Sequence, residues 1–567
     1  MIQLGLSAFY HDSAAALVID GKVICAIEEE KLSGEKHDSS FPFKAIQWCL
    51  EYTKITIDEV DMVCWYENPK DKFERVKKTV GSKYWPLKSF FPQWRCFIKR
   101  WNKTEGNLKG ILESIGYNGE ILYSLHHHSH LALSYYTSPF DKAIGLSIDG
   151  VGEFHTIYAA MCDDKGFHTI QTLHFPHSLG LVYSAFTAYL GFKPNEGEYK
   201  VMGLAPYGDN QKYNNIFDKV ANIGDVIDII KINQKYFTYK TSETDMFNQS
   251  LIDLIGFPPR MSDEPIELHH MDLAASLQKW YESMLYFVIN RVSNMWPCEN
   301  LVLGGGCAYN GTANGKIKRF TPIKNVWIPF APSDSGSAIG ACLYHYHQTF
   351  GNPKVKGGDN QSPYLGEEWS NPELLKIILQ NHRRKVVMFD TSEILCKEVA
   401  KLIEKGNIVG WFQGRTEFGA RALGNRSILA NPHLPDVRDR INKVVKKRET
   451  FRPFAPSVTI EDYKKYFISD EEVPYMNQVV IVKREVNLPS VTHVDNSARI
   501  QTLKKEDNPL YYELLKEFEK LTGTPILLNT SFNLKDHTMT NDPQKALWTF
   551  HNCDMDYLIL GKFLISK

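Results

Sequence analysis

Residues 2–31, IQLGLSAFYHDSAAALVIDGKVICAIEEEK, decide the fold of the first part of the chain. Two apolar runs flank Asp20-Gly21, a dipeptide typical of tight hairpin turns, so the segment predicts strand, loop, strand, turn and strand. Residues 142–161, KAIGLSIDGVGEFHTIYAAM, repeat the scheme with a strand to Ile148, a glycine-containing loop and another strand. Two such units, each with a polar residue in the loop, predict a duplicated α/β architecture.

Periodicity and composition divide the rest of the chain. Residues 272–292 have the period of a core helix, and residues 300–317, NLVLGGGCAYNGTANGKI, predict a buried strand, a glycine loop and a helix start. From residue 351 the chain is rich in Gly, Pro, Asn and Ser, which is typical of a linker. We therefore expect a first domain over residues 1–350, a linker over 351–384 and a second domain over 385–567.

The composition is that of an ordinary globular protein. The 567 residues include 65 Lys and Arg against 66 Asp and Glu, and a net charge of −1 argues against extensive nucleic-acid binding. No apolar run reaches the roughly 18 residues that span a bilayer, and the N-terminus lacks the features of a signal peptide. Ten scattered cysteines without a CxxC pair indicate reduced thiols, so we expect a cytoplasmic protein with no nucleic-acid partner and no membrane span.

Residues 69–109 depart from this balance, because Lys and Arg are dense there and Trp85, Trp94 and Trp101 lie among them. Basic residues interleaved with aromatic ones can bind nucleic acid or an anionic surface. An insertion whose aromatic residues pack on the core while its lysines face water has the same composition. We favour the insertion, because the sequence contains no recognisable nucleic-acid module.

Residues 125–136, LHHHSHLALSYY, hold four histidines directly before an apolar stretch. His126 and His130 stand four positions apart, which on a helix puts both rings on one face. The same letters suit a solvated polar turn, so the spacing alone does not decide. Asp149 and Asp334 both lie in loops after predicted strands, and imidazoles with carboxylates suit a divalent metal. These four residues are therefore candidate metal ligands.

Several loops also carry the features of a phosphate site. Glycine lets backbone N–H groups approach a phosphate closely, and the start of a helix adds the positive end of its dipole. Each loop alone is equally typical of a tight turn or a cap, and their common order favours a nucleotide site. The candidate nucleotide-binding residues are Asp12, Gly150, Gly152, Gly305, Gly306 and Asn310.

The second domain has a surplus of cations beside apolar strands, with only Glu417 and Glu449 nearby. These cations are Arg415, Arg421, Arg426, Lys446, Arg448, Arg452 and Arg499. A guanidinium fork suits bidentate binding of phosphate. An ordinary basic surface is the alternative, but Arg421, Arg452 and Arg499 sit in glycine-rich or apolar contexts. The pattern favours a pocket for an anion.

Five stretches together resemble the NodU/CmcH family of O-carbamoyltransferases. They are HDSAAALVIDG (11–21), EEEKLSGEKHDSSFP (28–42), HHHSHLALSYYTSPF (126–140), SLGLVYSAFTAYLGFKPNEGEYKVMGLAPYG (178–208) and GGGCAYNGTANGKI (304–317). The resemblance covers nearly the whole chain and is weakest in residues 69–109. The histidine segment departs from the family's usual HHLAHA-like motif at His128, Ser129 and Leu131, and these departures leave His126 and His130 in the ligand positions.

The resemblance implies a fold and two sets of ligands. The N-terminal domain would be TsaD-like, with the duplicated fold of the actin/sugar-kinase (ASKHA) class, and the C-terminal domain would be a YrdC-like α/β domain. The metal would be Fe(II), with Mn(II) or Zn(II) as alternatives, held by His126, His130, Asp149 and Asp334. Carbamoyl phosphate would be held by Arg421, Lys446, Arg452, Arg499, Asn529, Ser531 and Asn533.

The implied activity has two steps. The C-terminal site would make carbamoyl-adenylate from carbamoyl phosphate and ATP with Mg, and the N-terminal site would transfer the carbamoyl group to a hydroxyl of a small metabolite or sugar, in natural-product biosynthesis. His11 is a candidate for proton handling or carbonyl polarisation, and a plain contact to the adenylate suits it equally. The other catalytic candidates are Asp12, Lys36 and His37, of which the last two would line the acceptor end.

Two other functions share these features. One is a tRNA-modifying enzyme that uses threonylcarbamoyl-adenylate, and the fusion of both domains in one neutral chain argues against it. The other is a non-catalytic nucleotide-binding protein, which would not need both a metal set and an arginine pocket. The sequence does not identify the acceptor, and it leaves open whether the chain forms a homodimer.

Overall fold

The chain forms two compact units in a computed structural model that describes residues 1–80, 97–224, 229–240, 242, 245–355, 360–382 and 385–567. The first unit contains Met1–Ala26 and Ser39–Gln361, and the second contains Ile27–Asp38 and Ser362–Lys567. The second unit thus begins inside the expected linker, whose described part also contains the helix Asn371–Asn381. It also includes a short segment from the N-terminal part of the chain, which the composition does not indicate.

A five-stranded sheet begins the first unit. Its strands are β1 (Ile2–Ser7), β2 (Ala14–Ile19), β3 (Lys22–Glu28), β4 (Met62–Trp65) and β5 (Glu120–Tyr123). The order is β3-β2-β1-β4-β5, and β1 is antiparallel to β2 but parallel to β4. The predicted Asp20-Gly21 turn joins β2 to β3. Both residues have positive φ, 49° and 76°, as a tight hairpin turn of this kind requires.

A second five-stranded sheet repeats this topology. The next strands of the unit are β6 (Ala143–Ile148), β7 (His155–Asp163), β8 (Gly166–His174), β9 (Ala221–Ile223), β10 (Ile230–Ile232), β11 (Asn300–Gly304) and β12 (Asn325–Trp327). The second sheet has the order β8-β7-β6-β11-β12, while β9 and β10 pair separately. Like β1, the central β6 is antiparallel to one neighbour and parallel to the other. The repeated order confirms the predicted duplication.

Helices connect and cover these sheets. Those of the first unit include Phe43–Thr53, Pro69–Val80, Leu108–Ser114, His126–Tyr136, Leu179–Tyr189, Glu198–Leu204, Asn214–Val220, Gln249–Ile255, Leu268–Met295, Gly311–Asn314, Ile317–Phe320 and Asp334–Tyr344. The 28-residue helix Leu268–Met295 contains the predicted core helix. Helices His126–Tyr136 and Asp334–Tyr344 pack at very short range, because a Cβ added to Gly340 would lie 1.9 Å from the carbonyl oxygen of Ser129. This contact fixes the relative positions of two helices that carry candidate ligands.

The second unit is a mixed α/β structure around an eight-stranded sheet. Its strands are β13 (Val386–Met388), β14 (Val409–Phe412), β15 (Arg426–Ala430), β16 (Ala455–Thr459), β17 (Phe467–Ile468), β18 (Val479–Val482), β19 (Ser497–Arg499), β20 (Gln501–Leu503), β21 (Ile526–Ser531), β22 (Tyr557–Leu560) and β23 (Phe563–Ser566). The large sheet has the order β13-β23-β22-β14-β15-β21-β16-β20, and β17-β18-β19 form a separate sheet. Its helices include Glu29–Ser33, Asn371–Asn381, Ser392–Glu404, Pro435–Arg440, Tyr463–Tyr466, Pro509–Thr522 and Pro543–His551.

Apolar side chains cover both faces of the large sheet. Successive residues of a strand point to opposite faces, and Trp411 and Phe412 of β14 belong to two different buried clusters. Leu527 and Leu528 of β21 are divided in the same way. The sheet is therefore buried on both faces, and two of the predicted anion ligands, Asn529 and Ser531, lie in its strand β21.

The basic segment is partly described. Helix Pro69–Val80 lies in it, and the Trp101 ring packs against Phe73 and Phe97 with ring centroids 5.2 and 5.8 Å apart. Trp85 and Trp94 lie outside the described residues. Of the helices that the structure describes, none combines the length and apolar character needed to cross a membrane.

Candidate functional site

The four predicted metal ligands come together in the first unit. His126 and His130 lie on the first turns of helix His126–Tyr136, Asp149 directly follows β6, and Asp334 is the first residue of helix Asp334–Tyr344. His130 Nε2 lies 3.1 Å from Asp149 Oδ2 and 3.4 Å from Asp334 Oδ1. One ligand atom from each residue lies within 4.8 Å of all the others. Two imidazoles and two carboxylates at this separation are a donor set for a first-row divalent metal.

The electrostatics of this cluster favour a cation. Burial lowers the pKa of His126, but the carboxylates of Asp334 and Asp149 outweigh burial and raise it to about 9. Burial raises the pKa of Asp149, but hydrogen bonds from His126 and His130 hold it well below its ordinary value. Burial also raises the pKa of Asp334, but the nearby imidazoles of His11, His126 and His130 outweigh burial and lower it. Both carboxylates therefore stay ionised and attract positive charge.

Asp334 shows that the residues present fit a metal ion. Its side chain is 2% exposed, and within the described part of the chain neither carboxylate oxygen accepts a hydrogen bond. A buried carboxylate without such partners is costly, and a coordinated cation would remove that cost. Asp149 is different, because Oδ1 accepts from Gly150 N at 2.7 Å and Oδ2 from Gly306 N at 3.0 Å. Backbone N–H groups thus orient the Asp149 carboxylate, whereas the Asp334 carboxylate is available to a cation.

Neighbouring side chains hold the two histidines in place. Ser337 Oγ lies 3.0 Å from His130 Nδ1, which leaves Nε2 facing the cluster. Glu153 Oε1 accepts from the backbone N of His126 at 2.9 Å and of Asn68 at 2.7 Å. An acidic side chain at a helix N-terminus also suits the helix dipole. The ligand pair is therefore fixed both at the ring and at the backbone.

The other two histidines of the segment are structural. His127 is hydrogen-bonded at both ring nitrogens, 2.7 Å from Ser147 Oγ and 2.9 Å from the carbonyl oxygen of His155. His128 packs among aromatic rings, with its centroid 4.9 Å from that of Tyr158, and burial lowers its pKa to about 4. The four histidines of this segment thus divide into two candidate ligands and two packing residues.

The predicted nucleotide loops lie beside the ligands. Gly305 has φ of +85°, and a Cβ there would lie 2.2 Å from the carbonyl oxygen of Ile148. A Cβ on Gly152 would lie 3.0 Å from His126 Cβ, so both loops are closely packed. Asn310 caps the helix Gly311–Asn314, because its Oδ1 accepts from Ala313 N at 3.1 Å. These contacts account for the local sequence, and nucleotide binding by the loops stays a prediction.

Of the predicted catalytic residues, His11 and Asp12 lie at the cluster. His11 Nδ1 is 3.1 Å from Asp12 Oδ2, and Nε2 is 3.8 Å from Asp334 Oδ2. Burial lowers the pKa of His11, but Asp334 and Asp12 raise it to about 10. Lys36 and His37 lie in Ile27–Asp38, which belongs to the second unit. Lys36 is exposed, and the backbone N of His37 donates to Glu30 Oε2 at 2.8 Å.

A small, partly open cavity adjoins the candidate ligands. It is lined by Tyr10, Tyr66, Glu67, Lys72, Arg75, His126, Val151, Gly152 and Asp334. Of these residues, the sequence predicts a functional role only for His126, Gly152 and Asp334. The others come from the loop after β1, the residues after β4, helix Pro69–Val80 and the loop after β6, and they form no motif. The density of cations in residues 69–109 was the one signal that pointed to part of this wall.

Buried ion pairs form one side of the cavity. Lys72 Nζ lies 2.7 Å from Glu67 Oε1 and 2.9 Å from Glu105 Oε1. Burial lowers the pKa of Lys72, but the two carboxylates raise it above its ordinary value. Burial also raises the pKa of Glu67, and Lys72 offsets only part of that rise. This wall therefore offers both donors and acceptors to a polar molecule in the cavity.

In the second unit, Lys446 is a buried ammonium group with cationic neighbours. Its side chain is 3% exposed, and Nζ donates to Asn533 Oδ1 at 2.5 Å and to Ser531 Oγ at 3.2 Å. Burial holds its pKa well below the ordinary value, and Arg448 and Arg452 lower it further. An anion bound here would relieve this repulsion, so the predicted residues Lys446, Ser531 and Asn533 do form a local group.

Contacts through β21 connect the other predicted anion ligands. Asn529 Nδ2 donates to the carbonyl oxygen of Ala422 and to Gln501 Oε1, both at 3.2 Å. Asn529 thus contacts the residue that follows Arg421 and the strand that begins two residues after Arg499. Arg452 Nη1 lies 3.4 Å from Glu449 Oε2, and its side chain is 17% exposed. The fold therefore brings the loops that carry these residues to one region of the sheet.

Arg426, which the sequence grouped with these cations, has a structural role. It is fully buried, and its guanidinium lies 3.7 Å from the centroid of the Phe412 ring. Its Nη2 donates to the carbonyl oxygens of Glu367 and Gly414, both at 3.0 Å. The guanidinium is thus used to stiffen the loop between β14 and β15.

Two family models match most of the chain. The model described as Carbamoyltransferase N-terminus matches residues 2–343, and the model described as Carbamoyltransferase C-terminus matches residues 400–567. The first match contains all four candidate metal ligands, and the second contains the whole set of predicted anion ligands. The two matches thus separate the two candidate sites.

Relatives match over nearly the full length. An uncharacterized protein of Synechocystis is 40% identical over 595 residues, covering 100% of this chain and 96% of that protein. The nodulation protein NolNO of Sinorhizobium fredii is 34% identical over 576 residues, covering 99% and 80%. The 3'-hydroxymethylcephem-O-carbamoyltransferase of Amycolatopsis lactamdurans is 28% identical over 428 residues, covering 74% and 75%.

Proposed function

The chain belongs to the carbamoyltransferase family, and from this premise we propose an ATP-dependent O-carbamoyltransferase with separate sites for activation and transfer. The observation that carries the proposal is the opposite charge of the two sites. The first unit holds ionised carboxylates that attract a cation, and the second places the buried Lys446 beside Arg448 and Arg452, a basic group that attracts an anion. Two such sites suit two different half-reactions.

The activation site would lie in the second unit. Water would cleave carbamoyl phosphate into carbamate and phosphate, and a carbamate oxygen would then attack the α-phosphorus of ATP and release pyrophosphate. Lys446, Arg421, Arg452 and Arg499 would neutralise the phosphate oxygens, with Asn529, Ser531 and Asn533 as polar contacts. The catalytic role of these residues is electrostatic, because they are already held in place before the anion binds.

The transfer site would lie in the first unit. His126, His130, Asp149 and Asp334 would hold Fe(II), with Mn(II) or Zn(II) as alternatives. When bound, this ion would supply positive charge against phosphate or carbonyl oxygens of the adenylate. The loops with Gly150, Gly152, Gly305 and Gly306 would let the nucleotide approach the backbone closely, with Asp12 and Asn310 beside them. His11 would donate a hydrogen bond to the carbamoyl or phosphate oxygen.

The acceptor would be a hydroxylated small molecule that enters the cavity beside the ligands. Its oxygen would form a bond to the carbamoyl carbon, the bond from that carbon to the AMP oxygen would break, and the hydroxyl proton would pass to water. Glu67, Lys72 and Tyr10 line this cavity and suit the orientation of hydroxyl groups. The name of the Amycolatopsis relative specifies a hydroxymethyl acceptor for that protein, which supports a natural product or sugar as the acceptor class here.

The test is release of pyrophosphate from ATP by the purified chain. Dependence on carbamoyl phosphate, without added threonine, would support the proposal. Dependence on threonine and bicarbonate would indicate threonylcarbamoyl-adenylate chemistry, and no release with either would indicate a non-catalytic protein. A screen of hydroxylated acceptors with radiolabelled carbamoyl phosphate, read by mass shift, would then identify the acceptor.

A further inference from the structure

The segment EEEK at residues 28–31 has no role in the proposed function, yet it places charges inside the protein. Glu28 ends β3, and Lys31 lies in the helix Glu29–Ser33. Glu28 is 5% exposed and Lys31 is 6% exposed. Lys and Glu are almost never buried to this degree unless they are paired, so their partners indicate why they are there.

Both side chains contact the loop between β14 and β15. Lys31 Nζ lies 2.7 Å from Glu28 Oε2, so the two residues form a buried ion pair. Glu28 Oε1 accepts a hydrogen bond from the backbone N of Gly419 at 2.6 Å. Lys31 Nζ donates to the backbone carbonyl oxygen of Glu417. All these residues belong to the second unit.

Glu417 holds the far side of the same loop. Its Oε1 accepts from the backbone N of Leu423 at 2.8 Å, of Asn425 at 2.8 Å and of Arg426 at 3.1 Å. Arg421 therefore stands between two anchored points, Gly419 held by Glu28 and Leu423 held by Glu417. The anchors fix the backbone on both sides of a side chain that is itself only half-buried.

The Glu28–Lys31 pair is better explained by positioning than by stability. A buried ion pair is often no more stabilising than an apolar pair of the same size, because both charges lose their hydration. A hydrogen bond from a backbone N–H to a carboxylate, in contrast, is strong and directional. Gly419 has φ of +106°, which glycine adopts without steric cost, and in this conformation its backbone N–H donates to Glu28.

We propose that Glu28 and Lys31 form a clasp that positions Arg421 for the anion of the activation site. They are positioning residues that act through the backbone of the β14–β15 loop, and they touch no substrate. This inference rests on the proposed function for the identity of the anion, carbamoyl phosphate. It adds that residues 28–31, from the N-terminal part of the chain, contribute to the activation site of the second unit.

The test compares Glu28→Gln and Lys31→Met with Arg440→Met in the full-length chain. Arg440 makes an ion pair with Asp556 in the same unit, 2.7 Å between Nη2 and Oδ1, and its Nη1 donates to the carbonyl oxygen of Gly406, which precedes β14, so it is the control. Displacement of a positioned group by about 1 Å can reduce a rate roughly 10²-fold. We expect both clasp variants to lower kcat/KM for carbamoyl phosphate by about 10- to 100-fold, while transfer from supplied carbamoyl-adenylate stays within about two-fold.

Hydrogen exchange provides a second readout that does not depend on activity. Backbone amides of residues 415–425 should exchange faster in the clasp variants than in the wild type or in Arg440→Met. Lys31→Arg, which keeps the charge, should restore part of the protection and of kcat/KM. Unchanged exchange in this loop, or an equal loss in both half-reactions of a folded variant, would overturn the clasp. If the wild type itself releases no pyrophosphate, the proposed function fails, and the exchange data alone decide the clasp.

Discussion

A very close contact between two helices of the first unit offers a direct test of the metal site. In Gly340→Ala, the added methyl would lie 1.9 Å from the carbonyl oxygen of Ser129, and ordinary contact begins near 3.4 Å. One of the two helices must then move by about 1.5 Å, because well-packed interiors have no space to absorb the methyl. Overpacking of this kind costs about 1–3 kcal/mol of unfolding free energy.

The same movement should increase the distances between the candidate metal ligands. His126 and His130 lie on one helix and Asp334 on the other. Metal–ligand distances tolerate deviations of only about 0.2 Å, so a shift of this size exceeds the tolerance several-fold. We expect Gly340→Ala to lose most of its bound metal, measured by elemental analysis, and to transfer roughly 10²-fold more slowly. Pyrophosphate release by the second unit should be unchanged.

Gly256→Ala is the control for destabilisation without displacement of ligands. Its φ of +88° disfavours alanine, but the added methyl would meet no atom within 4 Å. It should lower the melting temperature and leave metal content unchanged. Retention of metal and of full stability in Gly340→Ala would refute the close packing of the two helices as the feature that positions the site.

Three further predictions concern individual charges. His130→Ala should abolish metal binding and transfer while pyrophosphate release persists, and loss of both activities in a folded variant would contradict the two-site proposal. Arg452→Ala should weaken binding of carbamoyl phosphate by about 2–5 kcal/mol, measured as the shift in its dissociation constant, because a half-buried guanidinium is removed from an anion pocket. Because the pKa of Lys446 is depressed, stability should fall as pH falls through that pKa, and phosphate binding should take up protons, measured by calorimetry in buffers of different ionisation enthalpy. Lys446→Met should eliminate that uptake, and uptake equal to that of the wild type would contradict it.

The cluster of candidate metal ligands was predictable from the sequence because most of its members stand at positions with a simple local rule. His126 and His130 share one helical face at a spacing of four, and Asp149 directly follows the apolar run of β6. The duplicated sheets were predictable for the same reason, since alternating apolar strands and the Asp20-Gly21 turn are local features. The spacing of four that selects His126 and His130 gives no information on His127 and His128. The packing roles of these two residues depend on Ser147 and on aromatic rings from other parts of the fold.

The cavity wall was not predictable, because its members are brought together only by the fold. Tyr10 follows β1, Glu67 follows β4, and Lys72 and Arg75 come from a helix in the segment that least resembles the family. Glu105, which pairs with Lys72 as Glu67 does, lies 33 residues after Lys72. No periodicity connects such residues, so a single sequence contains no sign that they share a surface.

Buried charged residues divide into those whose charge the chain itself compensates and those whose charge it does not. Arg426 is buried with its Nη groups on backbone carbonyls and its guanidinium on an aromatic ring, so its charge is satisfied by the chain itself. Asp334 is equally buried, and its oxygens accept no hydrogen bond within the described residues. A charge that the chain does not compensate costs folding free energy, and it persists where a ligand supplies the missing partner. By this criterion Asp334 is a candidate for a binding site, whereas Arg426 belongs to the scaffold.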